Sequence, residues 1–176
     1  TVITVYYRPH EIQMAKPLCA EYGMTYYHLR FFSVYGWGDH PWSIISTLVR
    51  DLPQGKTVAL SACRHRWNFM YIQDAVEAVY ELHHRAGSGE GGIVNIASRD
   101  TRVLRDFVEE VHQIAGGRGS LDYGTFIQAK EGALSVCPDV EKLNRLLGGR
   151  WKEAYTFRRG IEETMKREEN NRYEKD

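Results

Sequence analysis

The sequence is poor in the features that mark most specialised classes. Neither sign of charge is in excess: 23 Lys and Arg balance 23 Asp and Glu, so the net charge is zero. Bulk electrostatics therefore offers nothing to a nucleic-acid backbone. No apolar run approaches the roughly 20 residues that a membrane helix needs. Residues 1–7 also lack the basic region and cleavage pattern of a secretory leader. Cysteine is scarce, and Cys19, Cys63 and Cys137 lie far apart and are odd in number. That excludes a disulfide framework and leads us to expect free thiols in a reducing, cytoplasmic compartment. Cys63 and His65 stand two residues apart, but no second Cys/His pair follows at finger spacing, so no zinc site is expected. Neither nucleic acid nor membrane is an expected partner.

What is present is an ordinary globular composition. The 43% hydrophobic content over 176 residues suffices for one domain with a real core. Helix and strand signals alternate along the chain. Residues 9–22 read as a helix that tolerates Pro9 in its first turn, stops at Gly23 and carries a disruptive Pro17. Residues 24–32, rich in aromatics and β-formers, read as a buried strand, and 33–41 as a loop. A helix over 42–52, a turn at 53–55 and strands over 57–60 and 68–72 follow. Asp74 is expected to cap an amphipathic helix that stops near Gly87. A strand over 91–97 precedes a helix over 103–115 closed by Gly116 and Gly117. Further helices are expected from Asp139 to Gly148 and over 157–167. The polar tail 168–176 is expected to fray. The alternation predicts an α/β or α+β domain over residues 1–167.

Five segments in order carry a resemblance. Tyr7 precedes the helix that ends in Glu-Tyr-Gly-Met at residues 21–24. The strand after it reads Leu-Arg-Phe-Phe-Ser-Val-Tyr-Gly over 29–36, close to an Arg-x-Phe-Asn-Val-Tyr-Gly-Pro pattern. Asn-Phe-Met-Tyr-Ile-Gln-Asp over 68–74 resembles Arg-Asp-Phe-x-Tyr-Val-x-Asp, and Gly-Ile-Val-Asn-Ile-Ala over 92–97 a Tyr-Asn-Ile-Gly strand. Asp-Val-Glu-Lys over 139–142 with Leu-Leu-Gly over 146–148 is similar to an Asp-x-Ser-Lys…Leu-Gly-Trp ending. Each piece is weak alone; their order and spacing are not. The chain resembles the carboxy-terminal half of extended short-chain dehydrogenases, the sugar-nucleotide epimerases and dehydratases.

The resemblance implies an α/β fold made of the last strands of a doubly wound, Rossmann-like sheet plus a small α/β substrate lobe, mainly 37–150. It also implies NAD or NADP as cofactor, a nucleotide-sugar substrate, and a homodimer built on a helix pair that includes the tyrosine helix. The family's Gly-x-x-Gly-x-x-Gly pyrophosphate turn and its catalytic Ser/Thr are absent from these residues. The cofactor is accordingly not expected to bind this chain alone. By the same resemblance, Tyr7 is the acid/base and a cofactor contact, and Phe31 packs near nicotinamide. Ser33 replaces an Asn that touches substrate. His40, in a Gly-Asp-His-Pro loop, is a candidate for the diphosphate or the base, and Arg66 and Lys130 are candidates for the diphosphate, Lys130 standing at an arginine's place and Trp67 at a phosphate-binding arginine's. A phenol has a reference pKa of about 10 and works as a base beside a cation one turn on. Here that position holds Glu11, or His10 if Tyr6 is used instead. The expected activity is NAD(P)-dependent epimerisation, dehydration or reduction of a nucleoside-diphosphate sugar, by a truncated chain inactive alone. The alternative is a non-catalytic remnant that binds a sugar nucleotide or pairs with another subunit.

Overall fold

The computed structural model describes the backbone of residues 2–4, 9–85, 91–126, 135–149 and 151–173, with side chains described from Met14 onward within those ranges, to Asn171. A central parallel sheet of order β1–β2–β7 is built from Val2–Thr4, Tyr26–Phe31 and Gly92–Ile96. Between β1 and β2 runs α1 (Pro9–Glu21), which Gly23 ends at φ 62°. Tyr26, Tyr27, His28 and Leu29 of β2 are buried in succession. Unbroken burial is what a parallel strand covered on both faces shows, and it explains why this stretch does not alternate.

After β2 the chain leaves the sheet. It makes β3 (Val34–Tyr35), α2 (Ile44–Asp51), a 3₁₀ turn at Leu52–Gln54, and β4 (Thr57–Leu60). Then follow β5 (Arg66–Asn68), β6 (Met70–Tyr71) and α3 (Ile72–Arg85), which returns the chain to β7. Beyond β7 come β8 (Thr101–Val103), α4 (Leu104–Ile114), β9 (Ser120–Tyr123), α5 (Glu141–Leu146) and α6 (Phe157–Tyr173). Three two-stranded ladders serve the excursion: β3–β6 and β4–β9 are parallel, β5–β8 antiparallel.

Two cores result. Tyr27, Leu29, Val94 and Ile96 of the sheet pack with Ala75, Ala78 and Leu82 of α3 and Leu143 and Leu147 around α5. The second gathers Leu48 and Val49 of α2, Val58 and Leu60 of β4, Phe107 and Val111 of α4, and Phe157 and Ile161 of α6. Its centre is aromatic: Phe69 meets Phe107 edge-on at 5.1 Å between centroids, and Phe107 meets Phe157 at 4.7 Å. Asn68, fully buried, links the cores. Its amide nitrogen donates to the Ser98 carbonyl (2.8 Å) and its oxygen accepts the Ser98 N–H (3.1 Å).

Several local expectations differ from what is seen. Asp74 does not cap α3, because the helix begins two residues earlier. Its buried carboxylate instead accepts the backbone N–H groups of Ala154 (2.7 Å) and Tyr155 (3.1 Å), fastening the lead-in to α6. The strand expected over 68–72 is split at Phe69 because β5 and β6 pair with different partners. The loop expected over 33–41 contributes β3. Strands β8 and β9 carried no local signal and form by pairing with β5 and β4. Helix α6 continues through Tyr173, past the point where the polar tail was expected to fray.

Candidate functional site

The excursion from the sheet encloses a cleft of about 270 Å³. Its floor is Val58, Ala59 and Leu60 of β4 with Ser61, and one side is Ile44 and Thr47 of α2. His65, Trp67, Leu104 and Phe126 form the other walls, and Trp42 stands at the rim, 82% exposed. None of these eleven residues carries a formal positive or negative side chain apart from the titratable imidazole of His65.

Local chemistry explains the walls. Ser43 caps α2 by accepting the Ser46 N–H (3.1 Å), which directs Ile44 and Thr47 inward. The Ser61 hydroxyl accepts the Cys63 N–H (3.3 Å), and Cys63 takes a left-handed φ of 51°. That reversal, rare for a non-glycine residue, separates β4 from β5, which pairs with β8 and not with β4. The N–H groups of Leu104 and Arg105 then bond to the carbonyls of His65 (2.9 Å) and Cys63 (3.1 Å). Strand alternation puts His65 and Trp67 on the cleft side and Arg66 opposite. The His65 ring stands edge-on to Trp67 at 5.3 Å, and burial holds its pKa below the usual histidine value. It is a neutral imidazole at pH 7, able to donate at one nitrogen and accept at the other. Burial likewise pushes the Cys63 thiol up, away from thiolate.

The residues singled out from sequence fare differently. Tyr7 and Lys130 lie outside the described residues. Phe31 ends β2, 39% exposed, where ligands of open parallel sheets bind. Ser33 follows at φ 38°, its carbonyl accepting the Met70 N–H (3.3 Å). The His40 ring lies 4.4 Å from that of Trp42, tilted by 51°, and its Nδ1 accepts the Trp42 backbone N–H (3.3 Å); it touches the rim without lining the cleft. Arg66 is turned away, its guanidinium donating to the Thr101 carbonyl (2.5 Å) and its backbone N–H to the Ser135 hydroxyl (3.1 Å). Ser33, His40 and Arg66 therefore do not converge on this cleft. Asn95 and Asp139 are structural: the Asn95 amide donates to the Asp139 carbonyl (2.8 Å), and the Asp139 carboxylate accepts the Glu141 N–H (2.8 Å). His65, Leu104 and Phe126 were missed as cleft residues. For His65 the signal was the i, i+2 spacing with Trp67.

An α/β chain that leaves a parallel sheet to build a cleft, then returns, defines a class. The family model for the NAD dependent epimerase/dehydratase family matches residues 10–97, half of the chain, and the chain belongs to that family. Among curated proteins it is similar to UDP-N-acetyl-alpha-D-glucosaminuronate decarboxylase of Bacillus cytotoxicus, 24% identical over 86% of this chain and 50% of that protein. It is also similar to CDP-abequose synthase of Yersinia pseudotuberculosis, 23% identical over 61% of this chain and 38% of that protein. Among solved structures, UDP-glucose 4-epimerase of Thermotoga maritima superposes with a TM-score of 0.74 at 19% identity, covering 90% of this chain and 50% of that one. The chain spans about half the length of the relatives it matches most fully.

The family's cofactor fits the residues present only in part. Phe31 offers a half-exposed aromatic face at the end of β2. The sequence has no Gly-x-x-Gly-x-x-Gly run, and the glycines at 87, 89 and 92 lead into strand β7, not into the helix amino terminus that a pyrophosphate cradle needs.

Proposed function

We propose that this chain carries the nucleotide-sugar-binding part of an NAD(P)-dependent epimerase, dehydratase or reductase. The observation that carries the reading is the cleft: aromatic, of about 270 Å³, and floored by β4. That volume lies just under the roughly 300–1,000 Å³ of sites for drug-sized ligands, so it suits one flat base and not a whole nucleotide sugar. Trp67 and Phe126 supply stacking faces, while Thr47, Ser61 and neutral His65 supply hydrogen bonds without charge. The diphosphate then lies outside the cleft, with Lys130 its candidate cation on the sequence resemblance alone, and the sugar extends toward Ser33 and Phe31. The names of the similar proteins support a nucleoside-diphosphate sugar as substrate class. Tyr7 is the proposed proton donor and acceptor, and bound NAD(P) would supply hydride transfer. Pairing of two copies through the α1 helix and a cytoplasmic location belong to the same proposal.

Titration of the isotope-labelled chain with UDP-glucose, CDP-glucose and UMP checks it. The indole N–H signals of Trp42 and Trp67 should move and saturate, and Trp67→Ala should weaken the response at least tenfold. Nucleotides that leave both indoles unmoved would refute the reading.

A further inference from the structure

A second cavity, of about 350 Å³, opens between the segment after β3 and the end of α6, away from the nucleotide cleft's lining. Four residues line it: Trp37, Arg167, Asn170 and Asn171. The last three are spaced i, i+3 and i+4, so they form one turn of one helix face. None of the three makes a hydrogen bond or ion pair among the described residues, although Arg167 acts on the nearby Tyr71 phenol electrostatically. Asparagine is a poor helix residue, disfavoured by roughly 0.6 kcal/mol against alanine. Two in succession, with no partner among the described residues to offset that cost, face an indole that is 48% exposed.

From this geometry we infer that the groove between Trp37 and the last turn of α6 is a binding site for an uncharged sugar ring. A pyranose has an apolar face of C–H groups, and these bear the partial positive charge that the negative face of an indole attracts. Its rim is a ring of hydroxyls, each both donor and acceptor. A carboxamide is also both, and a guanidinium presents several donors in one plane. One stacking face beside a wall of such groups matches one sugar ring in shape and polarity. The volume suits a single ring. Arg167 lies within the last two turns of α6, whose carbonyl end carries about half a negative charge, and this end of the dipole disfavours an anion. The site is independent of the nucleotide cleft, and its occupant would be a free sugar or the terminal ring of a glycan.

The test is a titration of the labelled 176-residue chain with D-glucose, D-galactose and N-acetyl-D-glucosamine. Glucuronate and inorganic phosphate serve as charged controls. Concentrations run to about 50 mM, because one ring on one indole gives millimolar affinity. At least one neutral sugar should move the Trp37 indole N–H and the Asn170 and Asn171 side-chain amides saturably, leaving Trp42 and Trp67 unmoved. Trp37→Ala should weaken binding at least tenfold and Asn171→Ala severalfold. Arg167→Gln keeps a planar donor and should bind within about threefold of the parent, which also decides the matter if the tryptophan variant misfolds. The proposal is overturned if no sugar moves Trp37, if the sugars move Trp42 and Trp67 instead, or if phosphate or glucuronate binds more tightly than the sugars.

Discussion

Two residues show how backbone and packing constraints meet near the site. Ser33 sits at φ 38° with its carbonyl held by Met70, a conformation in which asparagine is several-fold enriched and β-branched residues are strained. Ser33→Asn should therefore leave stability within about 0.5 kcal/mol of the parent, whereas Ser33→Val should lose about 1–3 kcal/mol in urea unfolding. Gly160 is a matter of space: a Cβ there would strike the Tyr35 hydroxyl and lie 2.9 Å from Cδ2 of Tyr71. Tyr35 donates to the Phe157 carbonyl (3.1 Å), and burial pushes its pKa up so that it stays a donor. Gly160→Ala should cost about 1–3 kcal/mol through overpacking. The cost should shrink in a Tyr35→Phe background, where the clashing oxygen is gone. A double-mutant cycle by thermal unfolding measures that coupling, and strict additivity would contradict the contact.

At the scale of elements, the lead-in to α6 is held by two carboxylates. Asp74 accepts from Ala154 and Tyr155. Glu153 accepts the Ser98 hydroxyl and the Arg99 N–H, both at 2.8 Å. Burial raises both pKa values, and the backbone hydrogen bonds offset this only in part. A carboxyl whose folded pKa exceeds its unfolded one binds protons better when folded. Its contribution is complete below the ordinary carboxylate range, near 4, and is lost as pH rises through the raised folded values. These two groups should thus make the fold more stable as pH falls from neutral toward about 4. His65, lowered by burial, works against them below about 6.5, so the parent's net slope mixes the two effects. Asp51, lowered by its hydrogen bond with Arg50, is lost only below the ordinary range. Urea midpoints of the Asp74→Asn/Glu153→Gln variant should lack the carboxylate part of that slope. If parent and variant follow parallel curves from pH 7 to 4, the clasp does not titrate as described.

At the scale of the whole molecule, the chain joins two cores of different purpose. One completes part of a parallel sheet, and the other walls a cleft built by the excursion between β2 and β7 with Leu104 and Phe126. The pyrophosphate of a dinucleotide is held by backbone N–H groups at a glycine turn and a helix amino terminus, and the sequence has no Gly-x-x-Gly-x-x-Gly run to form one. Calorimetry of this chain with NADH should accordingly show no binding tighter than about 1 mM, while nucleotide sugars still move the cleft tryptophans. Micromolar NADH binding would mean that another arrangement of these residues holds the cofactor.

Much of this was legible before any coordinates. Strand β4 and the helices α1, α3 and α4 follow from periodicity and stop signals, because hydrophobic spacing and glycine are local properties. The family could be read from five short segments in order, since chain order survives where individual residues change. Which way the cleft faces could not be read. The strand expected over 68–72 does not include Arg66 and Trp67, and alternation within β5 puts them on opposite sides without saying which side is the cavity. That choice shows in the Arg66 guanidinium, which donates to the Thr101 carbonyl 35 residues away and leaves the aromatic side to the cleft. Asp74 is the same case: it stands where a cap would serve. The partners for its carboxylate, Ala154 and Tyr155, arrive 80 residues later. A buried carboxylate goes to the donors that folding brings within reach, and sequence distance does not carry that information.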